Sequence, residues 1–262
     1  MSKHIFWIAS YPKSGNTLVR SILSSLFFSD TGIFNFDLLK KIVSFEELSR
    51  LTKCYNTRAE NINTKNWKEK NILIFQNLKE IQKKINLDFS EDFAFFKTHF
   101  NGKNFDGQNF FVEEYLRGLI YIYRDPRDVC ISWARHSNIS KDDSLKFMLN
   151  ENASINWIDQ ENFSAYKKKE AINKLIDFFE KNFKIKVINK DIKINNILSS
   201  TSFNNLQKLE NLHGFNESIK ENKFFAVGQK NQWKSELEQN QIKIIEHEFG
   251  LIMKKLKYKV HN

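Results

Sequence analysis

Residues 5–26, IFWIASYPKSGNTLVRSILSSL, decide the reading of the chain. Residues 5–9 are a short apolar run suited to a buried strand, and Leu18, Val19, Ile22, Leu23 and Leu26 recur at helical spacing. Between them stand Tyr11, Pro12, Lys13, Ser14, Gly15, Asn16 and Thr17. A strand, a tight loop and a helix start make a corner where unpaired N–H groups and the positive end of the helix dipole favour an anion. Gly15 permits close backbone approach, Ser14 and Thr17 can donate hydroxyls, and Lys13 adds a point charge. Taken alone, the loop also fits an ordinary βα turn with solvated polar residues.

Composition sets the outer bounds. A chain of 262 residues suits one sizeable α/β core better than two small domains. A hydrophobic fraction of 41% with 25 Phe argues for a packed globule and against disorder. The net charge of +10 favours anionic partners without choosing among nucleotide, nucleic acid and acidic lipid. Two cysteines, Cys54 and Cys130, form neither a disulfide framework nor a zinc pattern and suit a reducing compartment. The run at 5–9 is too short for a signal-peptide core, and no run approaches the ~18 apolar residues of a membrane span. The expected location is cytoplasmic.

Along the chain, residues 29–92 read as mostly helical pieces, including FDLLKKIVSFEELSRL (36–51) and NILIFQNLKEIQKKI (71–85). FAFFKTHF (93–100) reads as a second buried strand with Lys97, Thr98 and His99 at its carboxyl end, where open parallel sheets place ligands. A His there suits a general base, and a structural hydrogen-bonded His is the alternative. GLIYIYRD (118–125) is a third strand, followed at once by PRDVCISWARH. Asp125 can cap that helix, and Pro126 suits its first position. Arg124 and Ser132 could jointly hold a second phosphate; a surface ion pair of Arg124 with Asp125 or Asp128 is the alternative. Both prolines of the chain fall at these two corners. Farther on, 167–183 and 202–214 read as amphipathic helices, 185–188 as a short strand and 224–234 as a loop. A long C-terminal helix follows, with Leu237, Ile244, Ile245, Phe249, Ile252 and Leu256 expected inside.

With these motifs in order, the chain resembles the cytosolic-type sulfotransferase family. YPKSGNT (11–17) is similar to that family's YPKSGTTW loop, KTHF (97–100) to its KTH strand end, and YRDPRDVCIS (123–132) to its R-[ND]-P-[RK]-D-x-x-x-S segment. SFNNLQKLENLHGF (202–215) resembles its penultimate helix, and FFAVGQKNQWK (224–234) aligns with its FFRKGKVGDWK loop. The resemblance implies a P-loop-like α/β fold, a single domain over residues 1–262 with a largely parallel central sheet flanked by helices. It implies 3′-phosphoadenosine 5′-phosphosulfate as donor, 3′-phosphoadenosine 5′-phosphate as product and no metal. Carried over, Lys13 contacts the leaving phosphate oxygens, His99 deprotonates the acceptor hydroxyl, and Lys97 stabilises charge on the transferring group. Ser14, Gly15, Asn16 and Thr17 cradle the 5′-phosphate. Arg124 and Ser132 bind the 3′-phosphate, with Gly228 and Lys230 on the adjoining loop. The expected partners are the nucleotide and a small-molecule or glycan acceptor, with a homodimer left open and nucleic acid disfavoured.

The chain also departs from the family. Asn16 stands for a loop threonine, Leu18 for the aromatic that helps enclose the adenine, and Ala226-Val227 for the Arg-Lys pair of the later loop. The strand ending in Tyr-Glu-Asp, between Ser132 and Ala171, is not recognisable. These departures keep open a non-catalytic nucleotide or nucleic-acid binder on the same fold. A P-loop kinase-like phosphotransferase fits less well, because Lys13 precedes Gly15 and G-x-x-x-x-G-K-[ST] is absent.

Overall fold

A computed structural model of the protein describes residues 4–45, 76–88, 92–100, 109–150, 168–219 and 222–261. The chain forms two compact units, one of Met1–Tyr11 with Lys41–Ile122 and one of Pro12–Lys40 with Tyr123–Asn262.

The first unit holds the sheet. Strands β1 (Ile5–Ser10), β2 (Val43–Ser44), β3 (Ala94–Thr98) and β4 (Leu116–Ile122) lie in the order β2-β3-β1-β4, and every pairing is parallel. All of β1 is buried, as a central parallel strand requires of its continuous apolar run. One face packs around Trp7, whose ring meets Phe45 at 4.9 Å and Phe110 at 5.2 Å, both edge to face. Helix Leu78–Asp88 covers this face with Leu78, Ile81 and Ile85, spaced as one helical stripe. Buried Gln82 fastens the helix to the 109–115 segment, donating to the Phe110 carbonyl and accepting from Val112 N–H. Truncating Trp7 to alanine in such a core costs about 3–5 kcal/mol.

In the second unit the described helices run α1 (Asn16–Phe28), α2 (Phe36–Leu39), then, with Leu78–Asp88 of the first unit as α3, α4 (Pro126–Ser137), α5 (Lys141–Leu149), α6 (Lys168–Phe183), α7 (Lys190–Ser200), α8 (Phe203–His213), α9 (Trp233–Glu236) and α10 (Gln239–Lys255). Asp125 caps α4 by accepting from Arg127 N–H at 3.0 Å, and Pro126 takes the first helical position. Arg127 is buried among Asp125 at 2.7 Å, Glu246 of α10 at 2.5 Å and the Trp233 ring at 3.7 Å. Lys193 on α7 donates to the Leu26 carbonyl at 2.8 Å, satisfying an end-of-helix acceptor of α1. The buried line of α10 is Ile242, Ile245, Phe249 and Met253.

Several expectations need correction. Only Phe36–Leu39 of the 36–45 stretch is α-helical, and Val43–Ser44 extends to pair with Phe96 and Lys97. Sheet edge pairing overrides the helical spacing of its apolar residues. The remainder of that motif, and residues 71–75 of the next, lie outside the described residues. Residues 185–188 form no strand. Leu18 is exposed, because α1 turns Ile22, Leu23 and Leu26 inward. Ile244, Ile252 and Leu256 flank the buried line of α10 and are only half-buried. Of the interval expected to hold the Tyr-Glu-Asp strand, the part up to residue 150 carries α4 and α5, and 151–167 lie outside the described residues. Among the described residues no helix is long and apolar enough to cross a membrane.

Candidate active site

The Lys13 loop has the backbone of an anion cradle. Lys13 (φ 65) and Gly15 (φ 109) are both left-handed, bracketing Ser14. Alternation of this kind turns successive N–H groups to one side of the chain. Gly15 precedes α1 with no side-chain cap on the helix. Ser14 is 7% exposed, and its buried hydroxyl finds no partner among the described residues. An unmet buried hydroxyl costs about 1–3 kcal/mol, which a phosphate oxygen at the loop would offset.

Asn16 and Thr17 open α1 and are buried. Thr17 Oγ1 donates to Glu217 Oε2 at 3.0 Å, and Arg20 Nη1 lies 2.5 Å from Glu217 Oε1. The Arg20 side chain is only 5% exposed, whereas that of Glu217 is 27%.

Arg124 leans on the same loop. Its Nη1 donates to the Lys13 carbonyl and its Nη2 to the Gln229 carbonyl, each at 3.3 Å. Burial lowers its pKa, and Asp128 and Asp125 act against that shift. Both carboxylates are engaged elsewhere. Asp125 binds Arg127, and Asp128 accepts from Asn231 N–H at 2.8 Å and Trp233 N–H at 3.2 Å. Among the described residues Arg124 forms no ion pair, so a half-buried guanidinium with only long carbonyl bonds remains suited to an anion. Gln232 extends the arrangement: its Nε2 donates to the Gln229 carbonyl at 2.6 Å, and its Oε1 accepts from Arg135. Ser132 stands half-buried one turn before Arg135 on α4.

The 214–232 segment meets these groups at further points. Lys13 Nζ sits 3.8 Å from the centroid of Phe224, a cation–π distance. Buried Glu210 fixes that ring by accepting from Phe224 N–H at 2.6 Å and Phe225 N–H at 3.0 Å. Gly228 is left-handed (φ 65), and a Cβ there would fall 2.2 Å from the Phe203 ring, so only glycine fits. Lys230 is exposed beside Gln229.

Lys97 and His99 belong to the sheet unit. Lys97 is half-buried on β3, and its carbonyl accepts from Phe45 N–H at 2.9 Å. His99 follows the strand end, with Nδ1 2.9 Å from the Ser10 carbonyl and 3.4 Å from Ser10 Oγ. A carbonyl only accepts, so the network assigns the hydrogen to Nδ1 and makes Nε2 the basic nitrogen of the neutral ring.

Residues that the sequence reading passed over are Arg20, Glu217, Phe224 and Gln229. Arg20 carried a signal, as the one charged residue in α1. Glu217 carried none, since its partner Thr17 is 200 positions away. Among the described residues no group of three or more His, Cys, Asp or Glu side chains could hold a metal ion.

Comparison with known proteins identifies the family and the fold. The sulfotransferase domain family model matches residues 3–169. A structure of retinol dehydratase in complex with androsterone and inactive cofactor PAP is similar at TM-score 0.54 and 13% identity, covering 98% of this chain and 82% of that one. Another, of retinol dehydratase in a complex with retinol and PAP, gives TM-score 0.55 and 14% identity, covering 100% and 84%. No curated protein matches the sequence. The family match spans the Lys13 loop, the Lys97–His99 strand end and the Arg124–Ser132 corner, and the chain belongs to the sulfotransferase family of enzymes.

Proposed function

We propose that the protein, acting as a single domain, transfers a sulfuryl group from 3′-phosphoadenosine 5′-phosphosulfate to a hydroxyl or amine of a small-molecule or glycan acceptor. The observation that carries this reading is the bond from Arg124 to the Lys13 carbonyl. It ties a half-buried cation, without an ion pair among the described residues, to a loop whose Ser14 hydroxyl has no partner among them. Two phosphates of one nucleotide would answer both needs. The retinol dehydratase structures, of the same fold, hold PAP and a hydroxyl-bearing molecule.

When bound, the donor supplies an activated sulfuryl group on a phosphate leaving group. Ser14, Gly15, Asn16 and Thr17 would hold its 5′-phosphate, and Arg124 and Ser132 its 3′-phosphate, with Gly228 and Lys230 beside them. His99 Nε2 takes the acceptor proton, a contribution of about 10²–10⁴ in rate. Lys13 exchanges the Phe224 ring for the leaving phosphate oxygens, and Lys97 steadies charge on the group in transit. The work is positioning and charge stabilisation, as in phosphoryl transfer.

Ala226-Val227, which removes two cations expected beside Arg124, favours a second reading: a nucleotide binder without turnover. Incubation of the full chain with labelled donor, a panel of phenols, alcohols and amines, and EDTA separates the two. Labelled sulfated product that depends on His99 supports transfer. Nucleotide binding without product supports the binder.

A further inference from the structure

Thr17 and Arg20 stand three residues apart on α1, on one helix face, and both point their donors at the Glu217 carboxylate. Glu217 presents two oxygens to a hydroxyl and a guanidinium, which is how a phosphate binds. Thr17 is also a residue of the proposed 5′-phosphate cradle, and Ser14 in that loop keeps a buried hydroxyl with no partner among the described residues. We infer that Glu217 is an internal placeholder for a donor phosphate, and that Arg20 is a donor ligand which the phosphate acquires by exchanging with Glu217. This inference rests on the donor assignment made above.

The exchange conserves the local charge balance. Buried Arg20 stays paired with an anion before and after loading, so its desolvation is met in both states. Glu217 is the more exposed partner and can swing into water. Thr17 has one hydroxyl hydrogen to give, and the Glu217 carboxylate repels an arriving phosphate, so Glu217 opposes donor binding.

The test is calorimetric titration of the full chain with 3′-phosphoadenosine 5′-phosphate, alongside thermal unfolding. Glu217→Gln is expected to unfold at lower temperature, because Arg20 loses its anion, yet to bind the nucleotide about tenfold more tightly. A merely structural Glu217 moves both readings in the same direction. Glu217→Asp folds more conservatively, draws the charge back by one methylene, and is expected to show a smaller gain. Wild type that binds while both variants bind equally or more weakly overturns the inference and leaves the donor assignment standing. No binding by wild type with binding by Glu217→Gln supports the placeholder. No binding by any folded form overturns the donor assignment and the inference together.

Discussion

Arg124 reaches the backbone of Lys13, donating from Nη1 to its carbonyl at 3.3 Å across 111 positions of sequence. One guanidinium thus joins the loop that would take one phosphate to the Gln229 carbonyl. Arg124→Ala should weaken binding of 3′-phosphoadenosine 5′-phosphate by one to two decades, given about 1.5–3 kcal/mol for a charged hydrogen bond. Adenosine 5′-monophosphate should lose less than tenfold. Calorimetry with both nucleotides checks this, and equal losses would remove Arg124 from the 3′-phosphate.

His99 is oriented by the Ser10 carbonyl, which makes Nε2 the nitrogen that would act in the proposed role of base. His99→Ala should lower turnover by about 10²–10⁴ while nucleotide affinity stays within twofold, as expected for loss of a general base alone. Steady-state kinetics alongside titration separates the two effects. Turnover that survives the substitution assigns the proton to another group.

Gly228→Ala combines a left-handed backbone with a contact 2.2 Å from the Phe203 ring. Strain alone is worth about 1–3 kcal/mol, so the melting temperature should fall by several degrees. Gly228→Ala in a Phe203→Ala background should fall less, because the clash is relieved and only the backbone strain remains. Equal losses in both backgrounds would mean that the ring does not dictate glycine there.

Lys168 begins α6, and its ammonium donates to the Thr201 carbonyl. Burial brings its pKa down from 10.5 to about 8. The folded protein therefore binds fewer protons than the unfolded chain between those values, and stability rises with pH across that window. The cost of the buried cation is fully felt below about 8. Relative to Lys168→Met, wild type should gain stability between pH 7 and pH 10. Urea unfolding at several pH values measures the gap, and parallel pH profiles would contradict the assignment.

Legibility in the sequence followed the range of the interactions. The strand, loop and helix start at residues 5–26 were readable because their signals are local, and so were Asp125 and Pro126 at the head of α4. His99 was legible at the strand end, but its tautomer depends on Ser10, 89 positions earlier. Val43–Ser44 was misread because sheet pairing, not local spacing, extends it. Leu18 fits the apolar periodicity yet is exposed, and the inward face of α1 also takes Arg20, Ser21, Ser24 and Ser25. Arg20 is buried because Glu217 meets it, and no periodicity encodes that partner. Gly228 resembled a ligand-contacting glycine in sequence, and the Phe203 ring supplies a second reason for it.

Binding of 3′-phosphoadenosine 5′-phosphate to the full chain in EDTA, followed by calorimetry beside Lys13→Ala, tests the central claim most directly. The account predicts a one-to-one complex of micromolar or tighter affinity that needs no metal and that Lys13→Ala weakens by at least tenfold. Properly folded protein that takes up no nucleotide, or binds it equally well without Lys13, would contradict it.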